Sequence, residues 1–241
     1  MLFRSEGAVK PISCNNWFGM CTNLTEIKNM ENLYTNECTS MNGMFDSCYK
    51  LTHLDLRNFV TNKVINMAGM FEACTSLTSL DLSNFNTTLV TDMSMMFKSC
   101  NNLISLDLSG FDTTNVITMS KMFADCNNLK TIKNINNFKT EKVTTMYKMF
   151  SACNSLVDLN MSNWKTSTEL TTMSEMFYDC NSLTTLDLSG FDTSNVTEMS
   201  WLFENCNNLR DKSIIVSKNT YDKMLNSNIG ISIDTLTFEE K

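Results

Sequence analysis

Ten cysteines, a single histidine and an aspartate recurring in the string LDLS are the side chains in this 241-residue sequence that could do chemistry. Eight cysteines are periodic: Cys21, Cys48, Cys74, Cys100, Cys126, Cys153, Cys180 and Cys206 stand 26 or 27 residues apart. Thiols in register could form disulfides, a metal array or a buried ladder. None belongs to a CxxC pair, whereas zinc needs closely spaced ligands converging on a tetrahedron. Each follows an inward Met–Phe pair at helical spacing, where Cys acts as a small hydrophobe. The expectation is a reduced, metal-free ladder from Cys48 to Cys180, with Cys14, Cys38 and the chain ends as the reactive thiols. His53 shares a strand face with Asp55, but no nucleophile accompanies it, so it reads as a surface residue.

The aspartates lie on alternate positions of LxxLxL strings such as Leu103, Leu106 and Leu108. Such a string makes a short strand, its leucines inward and the residues between them outward. The outward residues form the candidate binding face: His53, Asp55, Arg57, Asp81, Asp107, Lys133, Asn160 and Asp187. An acid and hydroxyl stripe could take a cation, a glycan or a basic partner strand. Asp81 and Asp107, on neighbouring rungs, would stand ~5 Å apart, near the separation of a retaining glycosidase's carboxylates. An acid repeated on most rungs marks no single cleft, however, so a carboxylate-based glycosidase is the distant alternative. The plainer reading is that each Asp solvates the face and satisfies the following turn. No cofactor motif is present.

The positioning elements follow from the period. Met41, Met67, Met93, Met119, Met146, Met173 and Met199 lead the units, a second Met row follows three residues later, and an aromatic row runs from Phe18 to Phe203. In the unit 93–118 the apolar positions Met93, Met96, Phe97, Cys100 and Leu103 have helical offsets, and Leu106–Leu108 alternates as a strand. One strand plus one helix cannot bury its apolar edge alone, but stacked copies can. The expected fold is an α/β repeat: a leucine-rich-repeat-like right-handed solenoid of about seven to eight strand-plus-helix coils. Its parallel strands, centred on 54–56, 80–82, 106–108, 132–134, 159–161 and 186–188, would line the concave side. Helices would pack ~10 Å apart on the convex side.

Expected boundaries are an N-terminal cap over 1–13, the solenoid over 14–207 and a C-terminal cap over 208–241. In that cap, residues 214–216 read as a last strand, 221–226 as a short helix, and Ile231, Ile233 and Leu236 as a closing edge. An inserted residue in the fifth unit predicts a bulged strand between Ile132 and Ile135. Trp164 replaces the Phe of neighbouring units, and the first unit is degraded, with Cys14, Trp17 and Cys38 at consensus positions. The Thr row (Thr61, Thr87, Thr113, Thr140, Thr166, Thr193) is expected to bond backbone in its own turn. Asn pairs such as Asn101–Asn102 are expected to hold left-handed backbone at helix ends.

Composition narrows the function. At 42% apolar and 19% charged residues the chain can build a core. A formal net charge of −7 without a basic patch argues against nucleic acid. No apolar run reaches the ~18 residues of a membrane span, and residues 1–10 lack a signal-peptide apolar region.

The pattern MxxMFxxCxxLxxLDLSxFxTxxVTxM, reproduced by residues 173–198 as MSEMFYDCNSLTTLDLSGFDTSNVTE, resembles the repeat of BspA-like leucine-rich-repeat bacterial surface proteins. The resemblance covers roughly 14–209. It implies a cell-surface or secreted adhesion or interaction module with no catalytic motif to carry over. Its partner would be a host or cell-surface protein or glycan. The alternative is a structural spacer within a larger surface protein. A spacer should keep its rungs alike; His53, Arg57, Lys133 and Asn160 interrupt the row, which favours recognition.

Overall fold

In the computed structural model the chain is described over residues 9–210 and 212–239. The expected N-terminal cap therefore lies mostly outside the described residues. The Met–Phe–Cys segments decide the architecture, and they are not helices. Gly43 and Ser47 both have φ near +58°, and the same two positions are left-handed in the following coils: Gly69 and Ala73, Met95 and Ser99, Lys121 and Asp125. A left-handed residue every fourth position ends any α-helix before it begins. Only glycine takes this backbone without strain, which explains its choice at positions 43 and 69.

Each segment instead alternates two kinds of hydrogen bond. Met44, Asp46 and Cys48 donate N–H groups to the carbonyls of Met41, Gly43 and Phe45, at 3.2, 3.0 and 3.2 Å, closing four-residue turns. The residues between them reach the next coil. Met41, Gly43, Phe45 and Ser47 donate to Asn66, Ala68, Met70 and Glu72 at 2.8–2.9 Å. Met93, Met95, Phe97 and Ser99 do the same to Thr118, Ser120, Met122 and Ala124. Just before each segment, parallel bridges run in series from Ser13 through Ser40, Asn66, Asp92, Thr118, Thr145 and Thr172 to Glu198. Coils joined this way stand at the ~4.8 Å spacing of strands. The expected ~10 Å helix spacing is thereby corrected.

The spacing stacks identical side chains. Phe45, Phe71, Phe97, Phe123, Phe150, Phe177 and Phe203 pile ring on ring, centroids 5.4–5.8 Å apart and planes within 10° of parallel. A second stack joins Phe138, Trp164 and Phe191. The two stacks touch at Phe150 and Trp164, centroids 6.4 Å apart, and the two Met rows and the cysteines from Cys48 to Cys206 are buried in the same core.

Parallel strands are present on the LxxLxL side, but fewer than expected. β1 (Ser105–Asp107) pairs with β2 (Thr131–Lys133), register Leu106 to Ile132. β3 (Leu186–Leu188), β4 (Ile214–Ser217) and β5 (Leu236–Glu239) form a second parallel sheet in that order. Residues 54–56, 80–82 and 159–161 keep their leucines or methionine inward without regular strand bonds. The one α-helix among the described residues, α1 (Lys218–Met224), follows β4, with the Ser217 hydroxyl accepting from the Thr220 N–H as its cap. The fifth unit's extra residue is absorbed by a 3-10 turn at Ile135–Asn137 behind left-handed Asn134, not by a bulge. Gly190 is required by contact: a Cβ there would lie 2.0 Å from the Trp164 carbonyl oxygen.

Candidate functional site

The structure puts seven of the eight expected site residues in the open; Asp187 is half-buried. The aspartates have a local task. The Oδ1 atoms of Asp81, Asp107 and Asp187 accept the N–H of Ser83, Ser109 and Ser189 at 2.9–3.1 Å, and Asn160 does the same for Ser162. An acceptor two residues before the turn N–H is the Asx-turn device. Asp55 accepts from the Arg57 N–H as well, and its carboxylate is gripped by the guanidinium at 2.7 and 2.9 Å.

These contacts set the electrostatics. The Arg57 guanidinium beside Asp55 holds its carboxyl down to about 2. Hydrogen bonds from Ser83 lower Asp81, and those from Ser109 lower Asp107, which also accepts from Asn134 Nδ2 at 3.2 Å. A retaining glycosidase needs one carboxyl held protonated near neutrality. Asp81 and Asp107 are both shifted the other way, so the pair lacks its acid. Among the described residues, no three His, Cys, Asp or Glu side chains gather as a metal site.

From Thr61 to Thr166 the Thr row bonds backbone across coils rather than within its own turn, and Thr193 pairs with the Thr220 hydroxyl. Thr113 Oγ1 donates to the Lys139 carbonyl at 2.9 Å and accepts the Lys139 N–H at 2.7 Å; Thr61 and Thr87 treat Asn86 and Asp112 alike. The left-handed residues near the Asn pairs fall two places earlier, at Ser99, Asp125 and Asn205, while Asn101 and Asn127 bond each other's side chains. Thiols in the ladder also cross coils, but backward: Cys100 Sγ donates to Phe71 O and Cys126 Sγ to Phe97 O, at 3.1 and 3.0 Å. Burial pushes both thiols up, Cys126 to about 12.

A second surface escaped the sequence reading. On the turn side, a shallow groove of about 640 Å³ is lined by Ser120, Thr145, Tyr147, Thr172, Ser174, Glu175, Glu198, Ser200 and Trp201. Trp201 is 49% exposed and left-handed, φ +54°, a costly backbone for a bulky residue. Ser174 Oγ is buried without a hydrogen-bond partner. Glu175 is tied to Lys148 at 2.8 Å, and Lys121 and Lys148 cover the Tyr147 ring. A sequence signal existed: Trp201 occupies the column that holds Gly43, Gly69, Met95, Lys121, Lys148 and Glu175 elsewhere.

Stacked coils of a Met–Phe–Cys turn segment and an LxxLxL face define the class, a leucine-rich repeat protein. The family described as "Mycoplasma protein of unknown function, DUF285" matches residues 12–132 and 118–228, and the chain belongs to this BspA-like repeat family. Among solved structures it is similar to a leucine-rich repeat protein from Bacteroides ovatus, at 15% identity. That alignment covers 94% of this chain and 80% of the other, with a TM-score of 0.31. No curated protein matches the chain. Among the described residues no helix is long and apolar enough to cross a membrane.

Proposed function

We propose that the chain is a non-catalytic interaction module, exposed at the cell surface or secreted, whose LxxLxL face receives an extended protein or polysaccharide. The observation that carries this reading is the row of outward acceptors Asp55, Asp81, Asp107, Asn160 and Asp187, at one position in five coils, with Lys133 at that position in the coil between Asp107 and Asn160. Each keeps one side-chain oxygen on its own turn, which fixes its orientation. Preorganised, regularly spaced groups suit a repetitive ligand. Affinity per contact is modest and grows with multivalent display.

The test exploits Asn160. Because Asn keeps the Asx-turn acceptor, Asp81→Asn with Asp107→Asn removes charge without removing the turn. This variant and Lys98→Ala/Lys121→Ala on the turn side are screened against immobilised matrix proteins and polysaccharides. Loss with the Asn pair alone supports the reading. Loss with the Lys pair alone moves the interface to the turn side, and no binding in any arm leaves the spacer.

The Trp201 groove favours a second reading, a sugar-binding site. A half-exposed indole offers an apolar face to the C–H side of a pyranose, and the half-buried hydroxyls of Thr172 and Ser200 beside it can pair with sugar hydroxyls. Selective loss of polysaccharide binding in Trp201→Ala would support it, and unchanged binding would remove it.

A further inference from the structure

The first two coils depart from the repeat at two positions that meet. Cys14 stands where later coils have Met41, Met67 and Met93, and Cys38 where they have Val64, Val90 and Val116. Both side chains are fully enclosed, and their Sγ atoms lie 3.1 Å apart, hydrogen bonded to each other. The ladder thiols are committed differently. Cys48, Cys74, Cys100, Cys126, Cys153, Cys180 and Cys206 each donate to a Phe carbonyl of the preceding coil.

We propose that Cys14 and Cys38 are a disulfide-forming site, a covalent latch between the first two coils that closes while the Cys48-to-Cys206 ladder stays reduced. The oxidant is a low-molecular-weight disulfide such as glutathione disulfide. The Cys38 thiolate attacks one of its sulfurs and expels one glutathione thiolate, leaving a mixed disulfide. Cys14 gives up its proton and attacks Cys38 Sγ, expelling the second glutathione. Two protein thiols are oxidised, one glutathione disulfide is reduced, and the two thiol protons end on the two glutathiones.

Geometry and electrostatics favour this order. The sulfurs must approach by only about 1 Å to reach disulfide length. The hydrogen bond shared by the two sulfurs lowers Cys38, whereas the same contact and burial push Cys14 up, so Cys38 is the nucleophile. Enclosure limits access, but the first coil is less sealed than the central ones, with Trp17 exposed and Cys21 half-buried, so it opens at lower free energy. Once formed, the bond joins residues 24 positions apart and suppresses that opening. The latch is independent of which face binds a partner. Persistence of the bond in cells would mark an oxidising compartment.

The folded full-length chain, purified reduced, is incubated with glutathione disulfide, acid-quenched, alkylated and peptide-mapped. Thiols counted in denaturant should fall from ten to eight, with one linked peptide pair joining Cys14 to Cys38. Cleavage within the first coils by a protease should slow by roughly tenfold or more. The linkage should persist in Cys48→Ala and vanish in Cys38→Ser; if the latter does not fold, the wild-type map decides. Retention of all ten thiols while a reporter dithiol oxidises in the same tube would overturn the proposal. So would arrest as a glutathione adduct on Cys38, or linkage through Cys21 or the ladder.

Discussion

The Met–Phe–Cys side and the LxxLxL side of each coil bury comparable apolar rows, yet they treat their backbones in opposite ways. On the first side four N–H groups per coil cross to the next coil, at Met67, Gly69, Phe71 and Ala73 for example, and left-handed residues make that possible. On the second side, among the described residues, ladders cross only where β1 meets β2 and where β3, β4 and β5 align; elsewhere there are Asx turns within a coil and isolated crossings such as Ile104 N–H to the Thr78 carbonyl at 3.5 Å. Buried backbone groups must be paired, whereas a face open to water can leave pairing to solvent. The turn segments carry the continuous intercoil ladder, and the exposed face is free to vary its side chains.

The largest expected break in this contrast comes from Phe97, stacked at 5.7 Å on Phe71 and 5.6 Å on Phe123. Phe97→Ala should cost ~3–5 kcal/mol. In a stack where each coil contacts its neighbours, the loss at mid-array should split the denaturant transition in two. A single transition with an unchanged midpoint would contradict the role given to the aromatic column.

Hydrogen exchange tests the same contrast without mutation. The Phe97 and Phe123 amides, bonded to Met122 and Met149 at 2.9 Å, should exchange only on global or near-global opening. Ser79, Leu80 and Asp81 have no backbone acceptor in hydrogen-bond reach among the described residues. They should exchange at least about a hundredfold faster. Equal protection on both sides would show that the LxxLxL face carries a ladder too.

The sequence made the repeat, the inward rows and the side of the Asp row legible, because period and polarity depend on side chains alone. The helix reading failed at Met41, Met44, Phe45 and Cys48. Offsets of three, four and seven describe an amphipathic helix and equally a pair of linked turns whose side chains face inward. Gly43 and Gly69, in one register near the middle of the expected helix, were the available sign. The short strands were over-read because LxxLxL fixes which way leucines point without fixing whether the backbones pair. The meeting of Cys14 and Cys38 depends on how the degraded first coil stacks on the second, which spacing alone does not give.

Thr113 gives a middle-sized test. Its buried hydroxyl stands in for a backbone group, serving both the N–H and C=O of Lys139. Thr113→Val keeps the shape and leaves both groups unpaired, so a loss of ~1–3 kcal/mol is expected in chemical denaturation. Asp107→Asn, which keeps its acceptor, should change stability by less than ~0.5 kcal/mol. Comparable losses from the two would erase the distinction between intercoil and intracoil bonds.

The smallest effect is expected at Asp55 and Arg57, an exposed pair joined within one coil. Arg57 lowers the Asp55 carboxyl to about 2, below the ~3.9 of an unfolded chain. A depressed acid contributes stability that is fully present above the unfolded value and lost as pH falls through the folded one. The contribution should therefore fade between about pH 4 and pH 2. With both side chains largely in water, screening keeps it below ~1 kcal/mol at neutral pH. Carboxyl-detected NMR titration should place Asp55 near 2 in the wild type and nearer ~3.9 in Arg57→Ala. Global stability at pH 7 should be nearly unchanged in Arg57→Ala. A shift above ~1 kcal/mol would mean that the pair does more than order its own turn, and that the LxxLxL face shares in holding the coils together.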